Sequence, residues 1–390
     1  MDTKKNILFI TPYFYPAWSY GWIPRVMYDL WVQFAQDGYN VECATTDVLD
    51  NDNRYDKKYE ESNWIKINFL KNISNKLVVK MKFPIPRWYK KWIKDNIQRF
   101  DVVHIADFRN LCSYYAYKYC KKYNIPYIVS PFWTVPYTKD YKSLVKKFFD
   151  KTWAKEMMEN AKYVTAQTND EFEEVENFWV DKNHIKLIPL MVDYSKFEDL
   201  PEIWEIRKKY DISDKAKVLL FVWRIHEYKA TDLMLKVFSK YHQKYNDSYL
   251  IIVWRDDWYE LNLKQLAKNL SIEWNVIFAW AVYYPDTKKY YIDSDIYFMA
   301  PSHFEQTSTA SLEALACWTP AIVTKQADIP FIDKYEWAGF VLNYDENDLV
   351  KWLIKQTDLW KNSQNCINLI KNHFDVRAIK DEFLDSYWIE

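Results

Sequence analysis

Two glutamates, Glu305 and Glu313, are separated by seven intervening residues in the stretch APSHFEQTSTASLEALACWTP. The first is predicted to lie in a loop after a strand, and the second about two turns into a helix over Thr307–Cys317. Backbone N–H groups at the start of a helix bind anions. The stretch therefore predicts an anion site beside two carboxylates. The spacing alone arises often by chance, and its context, between a strand ending in PS and the string LEALAC, gives it weight.

Two cations, Arg224 and Lys229, lie in the stretch LLFVWRIHEYKATDLML. They follow a predicted strand and precede a predicted helix. Cations in that position, next to the positive end of the helix dipole, would bind and neutralise a diphosphate. The alternative is a pair of ordinary surface side chains. Because the two glutamates lie in the same half of the chain, we favour the diphosphate interpretation.

The composition is that of a large globular chain. It has 390 residues, of which 49% are hydrophobic and 27% charged, enough for two or three domains of roughly 150 residues each. No apolar run approaches the ~20 residues that span a bilayer, and the start MDTKKNILFITPYF lacks the apolar core of a signal peptide. Five scattered cysteines without a C-x-x-C pair favour a reducing compartment and provide no metal or disulfide framework. We predict a cytoplasmic protein.

Strand-like runs alternate with amphipathic segments along the chain. The first run, Asn6–Phe14, precedes a helical pattern over Ile23–Gln36, and the alternation restarts after a polar stretch at Asp193–Lys217. This pattern predicts an α/β fold with two doubly wound parallel sheets, one in residues 1–192 and one in residues 193–370. Ligands of such sheets bind at the carboxyl ends of the strands.

Charge is concentrated in residues 71–155. This region has 19 Lys and Arg against 5 Asp and Glu, although the whole chain carries a net charge of −1. Within it, LVVKMKFPIPRWYKKWIK interleaves basic with aromatic and aliphatic residues. One interpretation is a solvated face of a lysine-rich domain. The other is contact with an anionic membrane surface. No recognised nucleic-acid-binding module accompanies the basic region, so we expect no nucleic-acid partner.

Several stretches together resemble the retaining glycosyltransferases of family 4. They are PYFYPAWSYGWIPRV, FDVVHIADFRN, SPFWT, AKYVTAQTNDE, FVWRIHEYKATD and the segment with the two glutamates. The resemblance covers nearly the whole chain and implies the GT-B fold, in which two Rossmann-like domains face a cleft. The tail HFDVRAIKDEFLDSY resembles the family's last helix, so residues 371–390 are expected to pack back on the N-terminal domain.

The resemblance implies transfer of a hexose, with retention, from a nucleotide-diphosphate-sugar to a glycan or lipid-linked acceptor. The expected setting is cell-surface polysaccharide or glycolipid synthesis, peripheral on the inner face of the cytoplasmic membrane. No metal and no cofactor are expected. The catalytic residues it implies are Arg224 and Lys229, for the leaving diphosphate, and Glu305, for the donor sugar. The donor-binding residues it implies are Glu313 for the ribose, the backbone at Thr307 and Ser308 for the phosphates, and Gly21 and Trp22 in the first loop. His104 and Trp133 are expected on the acceptor side.

The chain departs from the family pattern in SPFWT, where Phe132 stands in place of a frequent histidine. Histidine-assisted handling of the donor sugar is therefore in doubt. A structural histidine is the alternative interpretation of His104. Two other functions remain open: a non-catalytic GT-B protein that binds nucleotide or glycan, and a nucleotide-sugar epimerase on the same fold.

The glycine and tryptophan counts are abnormal. The chain has 3 Gly and 20 Trp, where average usage predicts roughly 27 Gly. Many tryptophans fall where the family pattern has glycine. We hypothesise that a UGA codon meaning glycine in the source organism has been read as tryptophan. The positions are Trp22, Trp133, Trp179, Trp223, Trp254, Trp258, Trp280 and Trp318, with Trp64, Trp153, Trp204, Trp274 and Trp337 as further candidates.

Overall fold

The computed structural model contains two compact units. It describes residues 5–75, 77–78, 83–137, 142–223, 230–253, 259–280, 282, 284–303, 305–359 and 364–388. The N-terminal unit comprises Met1–Pro189 together with Ile379–Glu390, and the C-terminal unit comprises Leu190–Ala378. The C-terminal unit is therefore inserted, in sequence, into the N-terminal one.

The N-terminal unit is built on an eight-stranded sheet in the order β3-β4-β2-β1-β5-β6-β7-β8. All neighbours are parallel except β3 and β4. Its central strands are buried on both faces, as parallel sheets covered by helices require. The strands are β1 Asn6–Ile10, β2 Asn40–Thr46, β3 Tyr59–Ser62, β4 Ile65–Leu70, β5 Val102–Ala106, β6 Tyr127–Ser130, β7 Tyr163–Ala166 and β8 Ile185–Leu187.

Among the described residues between 5 and 189, six helices accompany these strands. Side-chain N-caps fix the starts of two of them: Asn110 accepts from the Ser113 N–H, and Thr168 from the Glu171 N–H. Such caps satisfy backbone donors that the helix itself leaves unpaired. The helices are α1 Trp22–Gln36, α2 Tyr89–Asn96, α3 Leu111–Tyr123, α4 Lys142–Phe149, α5 Lys155–Glu159 and α6 Asn169–Asn177.

The C-terminal unit is built on a six-stranded, wholly parallel sheet in the order β11-β10-β9-β12-β13-β14. The strands are β9 Lys217–Val222, β10 Ser248–Val253, β11 Val276–Ala279, β12 Ile296–Met299, β13 Ala321–Thr324 and β14 Gly339–Leu342. The helices are α7 Glu205–Lys209, α8 Thr231–Lys244, α9 Glu260–Asn269, α10 Thr287–Ile292, α11 Thr309–Ala316, α12 Glu346–Leu359 and α13 Gln364–His373, followed by α14 Val376–Trp388.

Gly339, the first residue of β14, is required by a close approach of two strands. Its φ is +150°, and a Cβ there would lie 1.8 Å from the carbonyl oxygen of Ala321 on β13. Residues 321 and 339 are also register partners in the sheet. Only glycine fits this position.

The two sheets confirm the predicted α/β class. The boundaries differ where local chemistry intervenes: the first strand ends at Ile10 rather than Phe14, because a proline at position 12 has no N–H for the sheet. The antiparallel edge strand β3 was not predicted. In the part of the chain that the structure describes, no helix is both long and apolar enough to cross a bilayer.

Each sheet has one point at which its strand order reverses direction. In the N-terminal unit the reversal lies between β1 and β5, and in the C-terminal unit between β9 and β12. Crevices that bind ligands open at such points, beyond the carboxyl ends of the strands. Candidate ligand-binding residues are therefore expected in the loops after β1, β5, β9 and β12.

Candidate functional site

The loop after β12 holds Glu305 against the segment that follows β13. The Glu305 N–H donates to the carbonyl of Gln326 over 2.6 Å, and the Thr307 hydroxyl donates to the carbonyl of Asp328 over 2.7 Å. Two neighbouring strand ends thus form one continuous edge. The half-buried Glu305 lies at this edge.

The helix after this loop begins at Thr309 and not at the predicted Thr307. Ser308 has an extended conformation and acts as the N-cap, its hydroxyl accepting from the Ser311 N–H at 3.3 Å. Thr307 and Ser308 are buried, and both hydroxyls are used within the protein. The first turn of α11 carries no acidic residue, so the positive end of its dipole is not offset by a side chain there. The backbone at this turn is what a ligand phosphate would meet.

Glu313 lies on the second turn of α11 and is anchored from α10. The Tyr291 hydroxyl donates to its Oε2 atom over 3.0 Å. Tyr291 is fully buried, and this burial, together with the nearby Glu313 carboxylate, holds the pKa of the phenol well above its usual value. Tyr291 therefore remains a neutral donor that fixes the carboxylate of Glu313.

Arg224 and Lys229 lie outside the described residues. The segments on either side are described: β9 ends at Val222, and α8 begins at Thr231 after Ala230, which has a left-handed φ of +50°. The Thr231 hydroxyl at the start of α8 is buried and has no partner in the described segments. A buried hydroxyl without a partner is unfavourable, so this edge is suited to a polar ligand.

A second buried polar atom without a partner lies two strands away. Gln326 lies in the segment after β13, and its backbone carbonyl accepts from the Glu305 N–H. Its side-chain oxygen has no hydrogen-bond partner within the described parts of the chain. The strand β12 lies between β9 and β13. Two unsatisfied polar groups thus follow strands that flank the loop with the glutamates.

In the N-terminal unit, Gly21 precedes α1 at the end of the loop after β1. Its φ is +112°, and a Cβ there would meet no heavy atom within 4 Å. No side chain caps this helix, and its first turn has no acidic residue. The Trp22 ring packs edge-on against Phe132, with 5.7 Å between ring centroids. As the chain stands, an indole therefore occupies the space beside the start of α1.

Tyr13 and Asp107, which were not predicted as site residues, lie near one another at the strand-order reversal. Tyr13 stacks on Tyr20 at 4.2 Å, and its buried hydroxyl has no partner among the residues described. Burial raises the pKa of Tyr13 well above its usual value, and also raises the pKa of the Asp107 carboxyl. Perturbed groups at the end of a sheet are typical of functional sites.

His104 was predicted on the acceptor side, and the structure instead buries it completely. Nδ1 lies 2.6 Å from the hydroxyl of Tyr387 on α14, and Nε2 lies 2.7 Å from Ser130 Oγ. Burial lowers the pKa of His104 to about 3. With no exposed atom, it cannot contact an acceptor. The alternative interpretation, a structural histidine, is the one the geometry supports.

Trp133 lies in the loop after β6, and its backbone is fixed from α6. Both Phe132 and Trp133 have left-handed φ values, +48° and +61°. The Trp133 N–H donates to the carboxylate of the fully buried Glu171, which also accepts from the Gln167 N–H at 2.8 Å. The shape of this loop is therefore imposed by a buried charge.

Arg109 holds the same loop from the other side. Its guanidinium makes a bidentate pair with Asp150, at 2.8 and 2.9 Å, and also donates to the carbonyls of Thr134 and Val135. Both side chains of the pair are buried. The ring of Phe178 lies 5.1 Å from the guanidinium carbon, which adds a cation–π contact. The arginine joins three segments: the ends of β5 and β6, and the residues that follow α4.

Asp107 and Arg109, which the sequence analysis did not identify, share one feature of the sequence. Asp107 and Arg109 are charges placed directly after a predicted buried strand, in the string ADFRN. Polar residues at the carboxyl end of a parallel strand are candidates for function or for loop positioning. Gln326 follows β13 and carries the same signal. Glu171 carries none, because its role depends on a backbone contact with a distant loop.

Helix α4 exposes apolar residues among lysines. Leu144 is 72% exposed and Phe148 60%, and Lys146 and Lys147 lie on the same helix. Leu144 and Phe148 are four residues apart, which places them on one side of the helix. The surface of the basic region therefore has an apolar stripe with basic neighbours.

Metal ligands are a separate question. Within the described residues there is no group of three or more His, Cys, Asp or Glu side chains arranged to hold an ion. All five cysteines are buried thiols, and burial raises the pKa of Cys112, Cys120 and Cys366.

The two successive doubly wound sheets, with candidate site residues after their strands, define a class of two-domain α/β enzymes. Two family models match the chain: Glycosyltransferase Family 4 over residues 23–196 and Glycosyl transferases group 1 over residues 202–372. Together they account for most of its length. The chain belongs to the family 4 glycosyltransferases.

Curated relatives match part of the chain. The alpha-monoglucosyldiacylglycerol synthase of Streptococcus pneumoniae is 32% identical over 169 residues, which cover 42% of this chain and 37% of that protein. The D-inositol 3-phosphate glycosyltransferase of Kineococcus radiotolerans is 28% identical over 176 residues, which cover 43% of this chain and 40% of that protein. The matches span less than half of the length of these relatives.

Solved structures match the whole chain. Sucrose-phosphate synthase from Thermosynechococcus elongatus superposes with a TM-score of 0.74 and 15% identity, covering 98% of both chains. A glycosyltransferase from Rickettsia africae gives a TM-score of 0.75 and 18% identity, also with 98% of both chains covered. At this identity the likeness establishes the fold, which is GT-B, as predicted.

Proposed function

We propose that this protein transfers a hexose, with retention, from a nucleotide-diphosphate-sugar to a lipid-linked or glycan acceptor. The observation that carries the proposal is the carboxyl edge of β9, β12 and β13. There, a helix start without acidic residues, two glutamates and two unsatisfied polar groups follow adjacent strands. This edge provides what a sugar bound to a diphosphate requires: donors for phosphate and acceptors for hydroxyls.

In this proposal the donor diphosphate binds at the starts of α8 and α11. Arg224 and Lys229 neutralise the charge that develops on the departing diphosphate, and the backbone at Thr307 and Ser308 adds hydrogen bonds. Donors aimed at a developing negative charge lower the barrier most effectively when they are held in place beforehand. Neither a metal ion nor a cofactor takes part.

The two glutamates have separate tasks. Glu305, in a loop fixed by the Gln326 carbonyl, accepts hydrogen bonds from donor-sugar hydroxyls. Glu313, held by Tyr291, accepts from the ribose hydroxyls. The acceptor hydroxyl attacks from the face that the diphosphate leaves, and a leaving phosphate oxygen takes its proton, so the anomeric configuration is retained.

The N-terminal unit has candidate residues of its own, in the first loop and in the loop after β6. Gly21 leaves open space before α1, and Trp22 lies beside it. The backbone around position 133 takes the acceptor side of the N-terminal unit, with Asp107 and Tyr13 as further polar groups at the same sheet edge. The name of the Streptococcus pneumoniae relative supports a lipid acceptor.

The function is tested by assaying a panel of nucleoside-diphosphate hexoses for hydrolysis and transfer. The chain used carries glycine in place of the tryptophans at family glycine positions, so that misfolding is not mistaken for inactivity. We expect Glu305→Gln and Lys229→Ala to lower kcat by about 100-fold or more, because each removes a group that stabilises the transition state.

The matched control is Glu273→Gln, which neutralises an exposed glutamate of the same unit and should leave the rate unchanged. If Glu305→Gln and Lys229→Ala turn over like the control, the site assignment is wrong. Nucleotide-sugar binding without any turnover would favour the non-catalytic alternative, for which Phe132 in place of a histidine is the supporting observation. Interconversion of free nucleotide-sugars would indicate an epimerase.

We also propose that the protein works at the inner face of the cytoplasmic membrane. The support is the basic region 71–155 together with the exposed apolar stripe of α4. Basic residues near anionic headgroups contribute about 1 kcal/mol each, and an apolar helix face adds the energy of shallow insertion. Enzymes that modify lipid-linked acceptors benefit from such a surface, because their substrate does not leave the bilayer.

Co-sedimentation with vesicles tests the membrane surface. We expect binding to vesicles rich in phosphatidylglycerol and little binding to phosphatidylcholine, with the affinity falling as salt screens the charges. The double variant Leu144→Ser/Phe148→Ser should weaken binding by about tenfold, because two apolar side chains lose their burial. Leu261→Ser, which changes an exposed leucine of the C-terminal unit, serves as the control. Equal binding of all three proteins would remove α4 from the proposal.

A further inference from the structure

Seven tryptophans have a backbone conformation that tryptophan rarely adopts. Among the described residues, sixteen other than glycine have a positive φ, and seven of these are tryptophans, although the chain has only 20 Trp in 390 residues. Four more are Asn or Asp, which tolerate this region through local hydrogen bonds. The seven are Trp64, Trp88, Trp133, Trp179, Trp204, Trp318 and Trp337.

The left-handed region is unfavourable for tryptophan on steric grounds. The Cβ of an L-residue comes too close to the following carbonyl oxygen, whereas glycine has no Cβ and visits this region freely. A buried indole could offset the strain by packing. Yet Trp64 is 62% exposed and Trp179 56% exposed, and Trp88 is more exposed still. These indoles lack the burial that would explain them.

The turn between β3 and β4 shows what the backbone requires. Ser62 and Ile65 are paired, so Asn63 and Trp64 form a two-residue hairpin loop, with φ values of +46° and +64°. Two positive φ values in a two-residue loop define a type I′ turn, for which Asn-Gly is the strongly preferred sequence. Asn63 fits this turn, and a glycine would fit at position 64.

The end of α11 repeats a motif that a glycine forms elsewhere in the same chain. After α1, the N–H of Gly38 (φ +95°) donates to the Ala35 carbonyl, and the next N–H donates to the Phe34 carbonyl. After α11, the N–H of Trp318 (φ +66°) donates to the Leu315 carbonyl, and the next N–H to the Ala314 carbonyl. Both are Schellman motifs, in which glycine is the usual left-handed residue.

Other tryptophans have negative φ values and pack their indoles against apolar neighbours, as is usual for this residue. Trp31 lies within α1, is fully buried and stacks on Phe9 with 4.3 Å between centroids. Trp92 and Trp153 pack against the core of the N-terminal unit, and all three have ordinary φ values. Tryptophan therefore occurs in this chain in two distinct settings.

We infer that positions 64, 88, 133, 179, 204, 318 and 337 are glycines in the functional protein. A UGA codon decoded as glycine by the source organism and as tryptophan in this sequence accounts for a single replacement type at all seven. The backbone adds Trp88 to the positions that the family pattern suggested. It does not single out Trp22, Trp153, Trp223, Trp274 or Trp280, whose φ values are not positive. The inference does not depend on the proposed function.

Unfolding measurements test the inference without any assay of activity. In urea, each single change Trp64→Gly, Trp179→Gly and Trp318→Gly should raise the folding equilibrium constant by roughly threefold to tenfold, because left-handed strain is relieved. Trp31→Gly and Trp92→Gly are the matched controls and should lower the unfolding midpoint, since they remove packed indoles from helices. The inference is overturned if the first three changes lower the midpoint as the controls do.

Direct observation of the native protein provides the second test. Peptide mass spectrometry of the protein purified from its source organism should give masses with glycine at positions 64 and 318 and with tryptophan at position 31, provided that Trp31 is encoded by UGG. Tryptophan masses at positions 64 and 318 would overturn the inference. This measurement decides the matter even if the chain with all twenty tryptophans does not fold when expressed elsewhere.

Discussion

Replacing Arg109 with methionine is expected to lower the free energy of unfolding by about 3–5 kcal/mol, because it removes the cation that pairs with the buried carboxylate of Asp150. The same change removes the donors to the carbonyls of Thr134 and Val135. The loop after β6 loses one of the contacts that fix it, while the Trp133 N–H on Glu171 and the Lys146 ammonium on the carbonyls of Thr134 and Pro136 remain. In the function that we propose, the rate of transfer to the acceptor should also fall.

Urea unfolding followed by circular dichroism measures the loss. Lys121→Met is the control: it breaks the exposed ion pair with Glu156 and should cost no more than ~1 kcal/mol. The double variant Arg109→Met/Asp150→Leu should recover part of the stability, since an apolar pair avoids the unpaired charge. A single variant as stable as the Lys121 control would contradict the role of Arg109.

Acid should destabilise the N-terminal unit through His104. In the unfolded chain its imidazole takes a proton near pH 6.5, but in the folded protein its pKa is lowered to about 3 by burial. Between these two values the unfolded state binds more protons than the folded state, so stability falls as the pH falls. One proton contributes a slope of about 1.4 kcal/mol per pH unit across this window.

The measurement compares the unfolding free energy at several pH values between about 3 and 7 for the wild type and His104→Gln. The variant should have a shallower dependence by about one proton, because glutamine has no charge to gain. His184→Gln, which alters an exposed histidine, should follow the wild type. Parallel pH curves for the wild type and His104→Gln would show that the buried imidazole does not carry the effect.

The fold could be predicted because its signal is local and repeated. Buried parallel strands appear as short apolar runs, and the helices between them have their own period. The strand β3 was not predicted, because its sequence, YEES, is polar. Its pairing also depends on a hairpin turn in which Trp64 stands where the usual Asn-Gly sequence would have glycine. Helix α11 begins two residues later than predicted, because Ser308 is the N-cap and not a helical residue.

Candidate site residues could be proposed from the sequence only where they lie within one motif. Glu305, Ser308 and Glu313 lie within one strand-to-helix connection, so their spacing carried the information. Arg109 and Asp150 are 41 residues apart, and His104 and Tyr387 are 283 apart. Their partners are set by packing, and a single sequence does not reveal such pairs. The sequence therefore suggested a structural histidine only as an alternative for His104, and it gave no sign of Tyr387 as the partner.

The position of α14 has a consequence for how the chain is made. Its residues from Ile379 onward belong to the N-terminal unit, and Tyr387 bonds to His104 in the centre of the first sheet. A ribosome releases residues in order, so the inserted C-terminal unit has all of its sequence before the N-terminal unit does. The unit that begins to be synthesised first is thus completed only after the other unit, because its buried His104 has no Tyr387 partner until α14 has been synthesised.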